Sequence, residues 1–205
     1  MQTRTIYIFR HGQTDWNAEG RIQGHIDIPL NDLGRSQARR LIPALRKLGV
    51  QAFLSSDLSR ASETAEIISI ELGLPSVSLD PRLREIHLGK IQGLNRLEIE
   101  KLLGPEFSSR LRSAPLADTD VELLGSESGQ EVNERALQAL LQFARETSFE
   151  RIGVATHGGV IRRLIQFAVQ NQHYPAPIPN GIVYPLVLDL VSCKLHYEGL
   201  TRLSL

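Results

Sequence analysis

The sequence lacks the features that mark secreted and membrane proteins. It has a single cysteine, Cys193, in 205 residues, which excludes an internal disulfide framework and suits a reducing compartment. The apolar run nearest the N-terminus, "IYIF", has four residues and then turns polar, and no long apolar span follows. Signal peptides and membrane-spanning helices need longer runs. We therefore expect a cytoplasmic protein that does not bind membranes.

The sequence also has no excess of charge of one sign. Lysine and arginine total 23, and aspartate and glutamate total 23, so no overall field attracts the protein to nucleic acid or to an anionic membrane. We expect no nucleic-acid partner, and any anion site must be local.

The common cofactor motifs are missing as well. No GxxxxGK[ST] loop is present, and no GxGxxG follows a strand, which removes the usual nucleotide signatures. HExxH and paired CxxC are absent too. We expect chemistry that needs neither a metal ion nor another cofactor.

Strand-like and helix-like patterns alternate along the chain. "TIYIF", "AFLSS", "SVSLD" and "RIGVAT" predict strands, and apolar residues at three-and-four spacing predict helices between them. Strands joined by helices imply crossover connections, so we predict an α/β fold with a mostly parallel sheet and helices on both faces. Such folds bind ligands beyond the carboxyl ends of their strands. We expect one domain over residues 1–205, with the Pro/Ser-rich stretch 104–128 as a surface or cap excursion.

Some local features predict departures from regular structure. "IVYPLVLDL" and "CKLHYEG" predict a hairpin in which Pro185 marks an edge strand or a bulge. Pro43 is expected to kink or shorten its helix. Asp57 or Ser56 is expected to cap the helix that follows "AFLSS".

Two predicted strands run directly into histidines. Arg10 and His11 follow "TIYIF", and His157 follows "RIGVAT" with Gly158 and Gly159 behind it. The two glycines leave backbone amides open at the start of a helix, an arrangement that favours anions. Taken alone, each histidine is more simply a hydrogen-bonded loop residue.

Two more charged residues are predicted at the same edge of the sheet. Arg60 lies in the first turn of the helix beyond "AFLSS", and Glu85 follows "SVSLD". Each could equally be an ordinary solvated side chain. Together, however, two arginines and two histidines around one point would be costly without an anion to bind. A phosphoryl group is the anion that arginine forks, imidazoles and helix-start amides hold best.

The four segments that carry these residues resemble a known family. "FRHGQTDWN", "SSDLSRASETAEII", "LREIHLGKIQGL" and "VATHGGVIR" are similar to the signature segments of the histidine phosphatase superfamily, the phosphoglycerate mutase-like proteins, in the same order. The resemblance implies that fold for nearly the whole chain. Its most specific element is the "RHG" of residues 10–12 together with the distant "HG" of residues 157–158.

The resemblance implies a role for each central residue. His11 is the nucleophile and becomes a phosphohistidine. A first set would hold the phosphoryl oxygens as charged or imidazole donors or as neutral donors, namely Arg10, Arg60, His157, Asn17 and Gly158. Glu85 is the general acid: a nearby dianionic phosphate disfavours its ionisation, so it can donate a proton to the leaving oxygen and later activate water.

Other residues are assigned with less support. Arg21 and Gln23 are expected to line the pocket. His87 would face the substrate, or would be a plain loop histidine. The "SES" of residues 126–128 and Arg135 resemble a family segment with a supporting or capping role. His25, His173 and His196 are expected at the surface.

The reaction is left between alternatives. Water as phosphoryl acceptor makes a phosphomonoesterase, and a sugar-acid hydroxyl makes a cofactor-dependent phosphoglycerate mutase. Mutases resemble "ERHYG" where this chain has "EIHLG", and the missing arginine weakens the hold on a substrate carboxylate. We favour a phosphomonoesterase acting on a small phosphorylated metabolite, with the mutase as alternative. A phosphate- or partner-binding protein without catalysis is disfavoured because His11, Glu85 and His157 are all present. A homodimer is left open, since symmetric dimers are common.

Overall fold

A computed structural model describes residues 2–113, 118–170, 178–197 and 199, without the side chains of 110–113 and 118. Within these residues, the strands form one six-stranded sheet. They are β1 (Thr3–Arg10), β2 (Ala52–Ser55), β3 (Ser78–Leu79), β4 (Arg151–Thr156), β5 (Val183–Asp189) and β6 (Lys194–Tyr197). Their order is β3-β2-β4-β1-β5-β6.

The first four strands of that order are parallel. β4 lies between β1 and β2 and pairs parallel with both, and β3 pairs parallel with β2. β5 and β6 add an antiparallel hairpin beside β1. The predicted mostly parallel sheet and the terminal hairpin are confirmed.

Helices connect the strands and cover the sheet. They are α1 (Asp15–Ala18), α2 (Asp32–Lys47), α3 (Ser59–Leu72), α4 (Arg96–Leu103), α5 (Pro105–Ser113), α6 (Asp118–Leu124), α7 (Gly129–Glu146) and α8 (Gly158–Val169), with short 3-10 turns at Pro81–Leu83 and Gly89–Ile91. None of the helices in the described part of the chain is long and apolar enough to cross a membrane.

Side chains alternate between the two faces of the sheet and build a core on each. Ile6 and Ile8 of β1 belong to the cluster that includes the apolar faces of α7 and α8. Phe9 and Phe53 meet edge to face, with ring centroids 6.2 Å apart, in the cluster with α2 and α3. Helices therefore lie on both faces, as predicted. Burial of each large side chain stabilises the fold by about 1.5–3 kcal/mol.

A third apolar cluster lies outside both sheet cores. It joins Ile91, Ile99, Phe107 and Leu124, which come from a 3-10 turn, α4, α5 and α6. The stretch 104–128, predicted as a surface or cap excursion, thus contains two helices that bury apolar side chains among themselves and with α4. Its role as a cap stays a prediction.

Pro185 does not mark an edge strand. β5 lies between β1 and β6, and its pairing with β1 continues through Tyr7 and Pro185 without an extra residue, so the bulge is wrong too. The pairs with β6 begin at Leu186. Pro185 lies just beyond that ladder, where its missing N–H removes none of the described β6 pairs.

Pro43 does not shorten its helix. α2 continues through it to Lys47, although an interior proline costs a helix about 3 kcal/mol. Leu41, Ala44 and Leu45 beside it are buried, and their packing offsets that cost.

The predicted cap of α3 is also wrong. Leu58 occupies the N-cap position and makes no side-chain cap bond. Asp57 is instead paired with Arg84, at 2.7 and 2.5 Å, and the Ser56 hydroxyl contacts His157.

Candidate active site

The register of the sheet places the two predicted site histidines side by side. β1 and β4 run parallel with Arg10 opposite Thr156, so His11 and His157 are the next residues along each strand direction. The backbone N–H of His11 donates to the carbonyl of Thr156 at 3.0 Å. The centroids of the two imidazole rings lie 5.1 Å apart.

His11 is held as a neutral imidazole with one free ring nitrogen. Its Nδ1 lies 2.6 Å from the carbonyl oxygen of Gly12. Because a carbonyl only accepts, Nδ1 carries the hydrogen and Nε2 keeps its lone pair. Burial, followed by the charges of Arg10 and Arg60, lowers the pKa of His11 well below its usual value. Nε2 is therefore available as a nucleophile at neutral pH.

Close packing requires a glycine at position 12. A Cβ atom there would lie 2.3 Å from the carbonyl oxygen of Gly34 in the first turn of α2. The N–H of Gly12 donates to the hydroxyl of Thr64 at 3.1 Å. The glycine of "RHG" thus lets α2 close against the loop that carries His11.

Arg60 is a fully buried cation at the start of α3. Its Nη1 and Nη2 donate to the carbonyl oxygens of Ile26 and Gly24, at 3.0 and 2.8 Å. The ion pair that it makes with the half-exposed Asp27 spans 3.9 Å. Burial lowers the pKa of Arg60 to about 10, so the guanidinium is charged at neutral pH.

Arg10 ends β1 and lies against the start of α8. Its Nη1 donates to the carbonyl oxygen of Ile178 at 2.9 Å. A Cβ atom on Gly158 would lie 3.6 Å from its Nε, so guanidinium and helix-start backbone are neighbours. Burial lowers the pKa of Arg10.

His157 is the N-cap residue of α8 and is completely buried. Its Nε2 lies 2.9 Å from the hydroxyl of Ser56, which can donate to it and so leave the ring hydrogen on Nδ1. Burial, followed by the charges of Arg60 and His11, lowers the pKa of His157 well below its usual value. A neutral imidazole in this tautomer presents Nδ1–H as a donor.

Glu85 reaches the same group of residues from the loop after β3. Its Oε1 accepts from the N–H of Ile86 at 2.9 Å, and its Oε2 accepts from the N–H of Gly159 at 3.2 Å. The carboxylate charge opposes the effect of burial on the pKa of both Arg10 and Arg60. The predicted acid, cations and histidines therefore lie together.

Three buried nitrogens in this group have no hydrogen-bond partner. They are Nε of Arg10, Nε of Arg60 and Nδ1 of His157. A buried donor without an acceptor costs about 1–3 kcal/mol, and more when it is charged. An anion with several oxygens supplies the missing acceptors.

Asn17 and Gln23, predicted to bind substrate, contact the loop after His11. The Oδ1 of Asn17 accepts from the N–H of Thr14 at 3.1 Å, within a capping box of α1. The Oε1 of Gln23 accepts from the Thr14 hydroxyl at 3.1 Å. Both side chains keep their amide NH2 groups available, and their contact with substrate stays a prediction.

Arg21 ties the loop after α1 to the segment around α4. It donates to the carbonyl oxygen of Gly93 and to Glu98, at 3.3 Å for the carboxylate. Its guanidinium lies 5.5 Å from the ring centre of Trp16. A role in lining the pocket stays a prediction.

His87 forms a pair with His25, whose surface position was predicted wrongly. The two rings lie 5.1 Å apart, and Nε2 of His87 is 3.1 Å from the amide nitrogen of Gln92. His25 is half-buried, and its Nε2 donates to the backbone carbonyl of Glu85 at 2.7 Å. His196 is exposed, as expected, and His173 lies outside the described residues.

Sequence reasoning missed the polar residues that support the histidines. Ser56 contacts His157, Thr64 contacts Gly12, and the side-chain amide of Asn180 donates to the carbonyl oxygen of His11. Ser56 and Thr64 lie in the quoted "SSDLSRASETA" segment, and their hydroxyls at the end of a strand were a usable signal. Nothing local marks Asn180.

The part of the chain that the structure describes holds no group of three or more histidine, cysteine, aspartate or glutamate side chains arranged to bind a metal ion. The expectation of metal-free chemistry stays a prediction.

Comparison with known proteins identifies the family. Residues 6–188 match the histidine phosphatase superfamily (branch 1), and the chain belongs to this superfamily. The predicted family is thus confirmed.

The relatives include phosphatases and mutase-like proteins. The chain is 45% identical over 165 residues to phosphoglycerate mutase-like protein 4 of Arabidopsis thaliana, a match that covers 80% of this chain and 70% of the relative. It is 41% identical over 165 residues to a metal-independent phosphoserine phosphatase of the same plant, with 78% and 66% covered. A solved structure of a mycobacterial glucosyl-3-phosphoglycerate phosphatase with VO3 has a TM-score of 0.75 and 33% identity, and the match covers 89% of this chain and 92% of that chain.

Proposed function

We propose that the protein is a metal-independent phosphomonoesterase that acts on a small phosphorylated metabolite through a phosphohistidine at His11. The observation that carries the proposal is the set of three unpartnered buried nitrogens on Arg10, Arg60 and His157, next to a neutral His11. A phosphoryl group supplies acceptors to these donors and an electrophile to the nucleophile.

In the first half-reaction, Nε2 of His11 attacks phosphorus and the bond to the leaving oxygen breaks. The carboxyl group of Glu85 gives its proton to that oxygen, and the product leaves as an alcohol. Arg10, Arg60 and His157 bind the phosphoryl oxygens and stabilise the charge on them. The ring hydrogen of His11 stays on Nδ1, bonded to the Gly12 carbonyl, so the phosphohistidine ring is cationic.

In the second half-reaction, water attacks phosphorus and the bond to His11 breaks. The carboxylate of Glu85 takes a proton from the water, and inorganic phosphate is released. His11 returns to the neutral form and Glu85 to the protonated form. One carboxyl group therefore serves both steps.

A phosphoglycerate mutase is the second candidate, because one relative is named phosphoglycerate mutase-like. It would use the same first half-reaction and pass the phosphoryl group to a sugar-acid hydroxyl. We rank it second since "EIHLG" lacks the arginine of "ERHYG", and since the phosphoserine phosphatase and the glucosyl-3-phosphoglycerate phosphatase are relatives that release phosphate according to their names.

A phosphorus NMR time course tests the proposal and the alternative together. The protein is incubated with 3-phosphoglycerate, a trace of bisphosphoglycerate, phosphoserine and a set of sugar phosphates. Release of inorganic phosphate, with a phosphohistidine signal after acid-free quenching, is the expected result. Formation of 2-phosphoglycerate without phosphate release would make the protein a mutase. Neither signal would favour the binding protein.

A further inference from the structure

Glu85 differs from the histidines in how it is positioned. His11 follows β1, which has eight residues, and His157 follows β4, which has six. Glu85 follows β3, which has two residues, both exposed. So short a strand at the sheet edge holds the loop behind it weakly, and a general acid has to be held close to the leaving oxygen.

Arg135 of α7 makes the contacts that β3 does not. Its Nη1 donates to the backbone carbonyls of Arg82 and Arg84 at 2.6 and 2.8 Å, and its Nη2 donates to the carbonyl of Glu85 at 3.0 Å. The two remaining N–H groups donate to Glu127, at 2.7 and 2.9 Å. An arginine has five N–H donors, and here each one has an acceptor.

Glu127 extends the same hold to the next residues of the loop. Its Oε2 accepts from the N–H of His87 at 2.7 Å, and its own N–H donates to the carbonyl of His87 at 2.9 Å. The Ser126 hydroxyl donates to that carbonyl too, at 2.7 Å. Hydrogen bonds from Arg135 and from the N–H of His87 outweigh burial and lower the pKa of Glu127. The segment 126–135 thus fixes the backbone on both sides of Glu85.

We propose that Arg135, anchored by Glu127, is the positioning residue that holds Glu85 at the leaving oxygen. It acts through the backbone of residues 82–87 and touches neither the substrate nor the reacting atoms. This inference rests on the proposed function, because it needs Glu85 to be the general acid.

The dependence of the rate on the leaving group tests the inference. 4-Nitrophenyl phosphate has a leaving group that departs without a proton, whereas an alkyl phosphate such as glycerol 2-phosphate needs one. Values of kcat/KM report formation of the phosphohistidine for both substrates. A residue that positions the acid should matter much more for the alkyl phosphate, and a residue that only supports the fold should affect both alike.

Glu85→Gln is the reference variant, and Arg135→Gln and Arg135→Lys are the test variants. We expect Glu85→Gln to lose about 10²–10⁴-fold on the alkyl phosphate and far less on 4-nitrophenyl phosphate. Arg135→Gln should show the same pattern with a loss of about 10²-fold, and Arg135→Lys, which keeps the charge and up to three donors, a smaller one. Arg145→Gln and Arg145→Lys are matched controls on the same helix, since Arg145 contacts Leu190 and Cys193 instead, and should change neither rate.

Glu127→Gln covers the case in which Arg135→Gln does not fold. It keeps the shape of the anchor and removes its charge, and we expect the same selective loss on the alkyl phosphate. Equal losses on both substrates, or none, in folded Arg135 and Glu127 variants would overturn the inference while leaving the proposed function intact. If Glu85→Gln itself shows no leaving-group dependence, the acid assignment in the proposed function fails instead.

Discussion

The two sides of the site are built differently. On the phosphoryl side, Arg60 and His157 are completely buried and His11 is 2% exposed, and all three follow strands of the parallel sheet. On the leaving-group side, Glu85 and His87 are partly exposed and depend on contacts with the segment before α7.

This difference separates fixed chemistry from adjustable recognition. Buried donors held by strands and backbone carbonyls keep their geometry before substrate arrives, which is the condition for strong electrostatic stabilisation. Loops held by side-chain pairs can change in sequence without disturbing the sheet. The substrate preference of this chain should therefore lie in residues 81–128 and in the loop that carries Arg21.

Removal of the nucleophile is the harshest test of the phosphoryl side. We expect His11→Ala to lower turnover by at least about 10⁴-fold and to abolish the phosphohistidine, with folding retained because the ring lies beyond β1 and outside both apolar clusters. Phosphate release and circular dichroism measure the two effects, and His196→Ala at an exposed position is the control. Near wild-type activity in His11→Ala would refute the assignment.

A methyl group at Gly159 should break the contact between the two sides. A Cβ atom there would lie 2.3 Å from Oε1 of Glu85 and 2.8 Å from Cδ1 of Ile86. Both are ends of flexible side chains, so Gly159→Ala should fold but displace the acid and lose about 10²-fold in kcat. Gly158→Ala should lose much less, because its methyl meets Arg10 at an ordinary 3.6 Å. Equal losses in both variants would mean that the distance to Glu85 is not what matters.

Acid should weaken the phosphoryl side before the rest of the protein. The pKa values of His11, His157 and His25 are lowered, chiefly by burial, so below about pH 6.5 the unfolded chain binds protons that the native state does not. The free energy of unfolding should be level above pH 7.5. It should fall below pH 6.5, by about 1.4 kcal/mol per pH unit for each neutral buried histidine. Urea unfolding between pH 7.5 and 5 measures this slope, which His11→Asn should reduce and His196→Gln should not. A stability that stays constant down to pH 5 would contradict the charge state.

Arg21 on the leaving-group side should matter modestly. Its contacts with Gly93 and Glu98 can be lost without exposing a core, so we expect Arg21→Ala to raise KM a few-fold and to keep kcat within about twofold. Steady-state kinetics on the substrate chosen by NMR measures both. A large fall in kcat would place Arg21 among the phosphoryl contacts.

A chelator should have the smallest effect of all. We expect full activity in excess EDTA, since the proposed steps use only side chains and water. Loss of activity that returns with added metal ion would overturn the metal-free mechanism.

The sequence predicts the phosphoryl side well because its signals are local. A buried strand followed by "RHG" or "HGG" identifies both histidines, and a first-turn arginine identifies Arg60. The supporting contacts are harder, because they join distant positions. Ser56 was assigned to a helix cap but contacts His157, and Asp57 pairs with Arg84. The hold of Arg135 on Glu85 depends on carbonyl groups, which no side-chain pattern encodes.

The burial of Arg60 has a cost that appears when no phosphate is bound. A buried cation that is satisfied mainly by carbonyl oxygens destabilises the folded chain relative to an apolar side chain of similar size. A ligand that binds only the native state stabilises it in proportion to the logarithm of its concentration over its Kd. Inorganic phosphate should thus raise the melting temperature of the wild type but not that of Arg60→Met. The inactive variant can start out the more heat-resistant of the two, since activity and stability compete at this position.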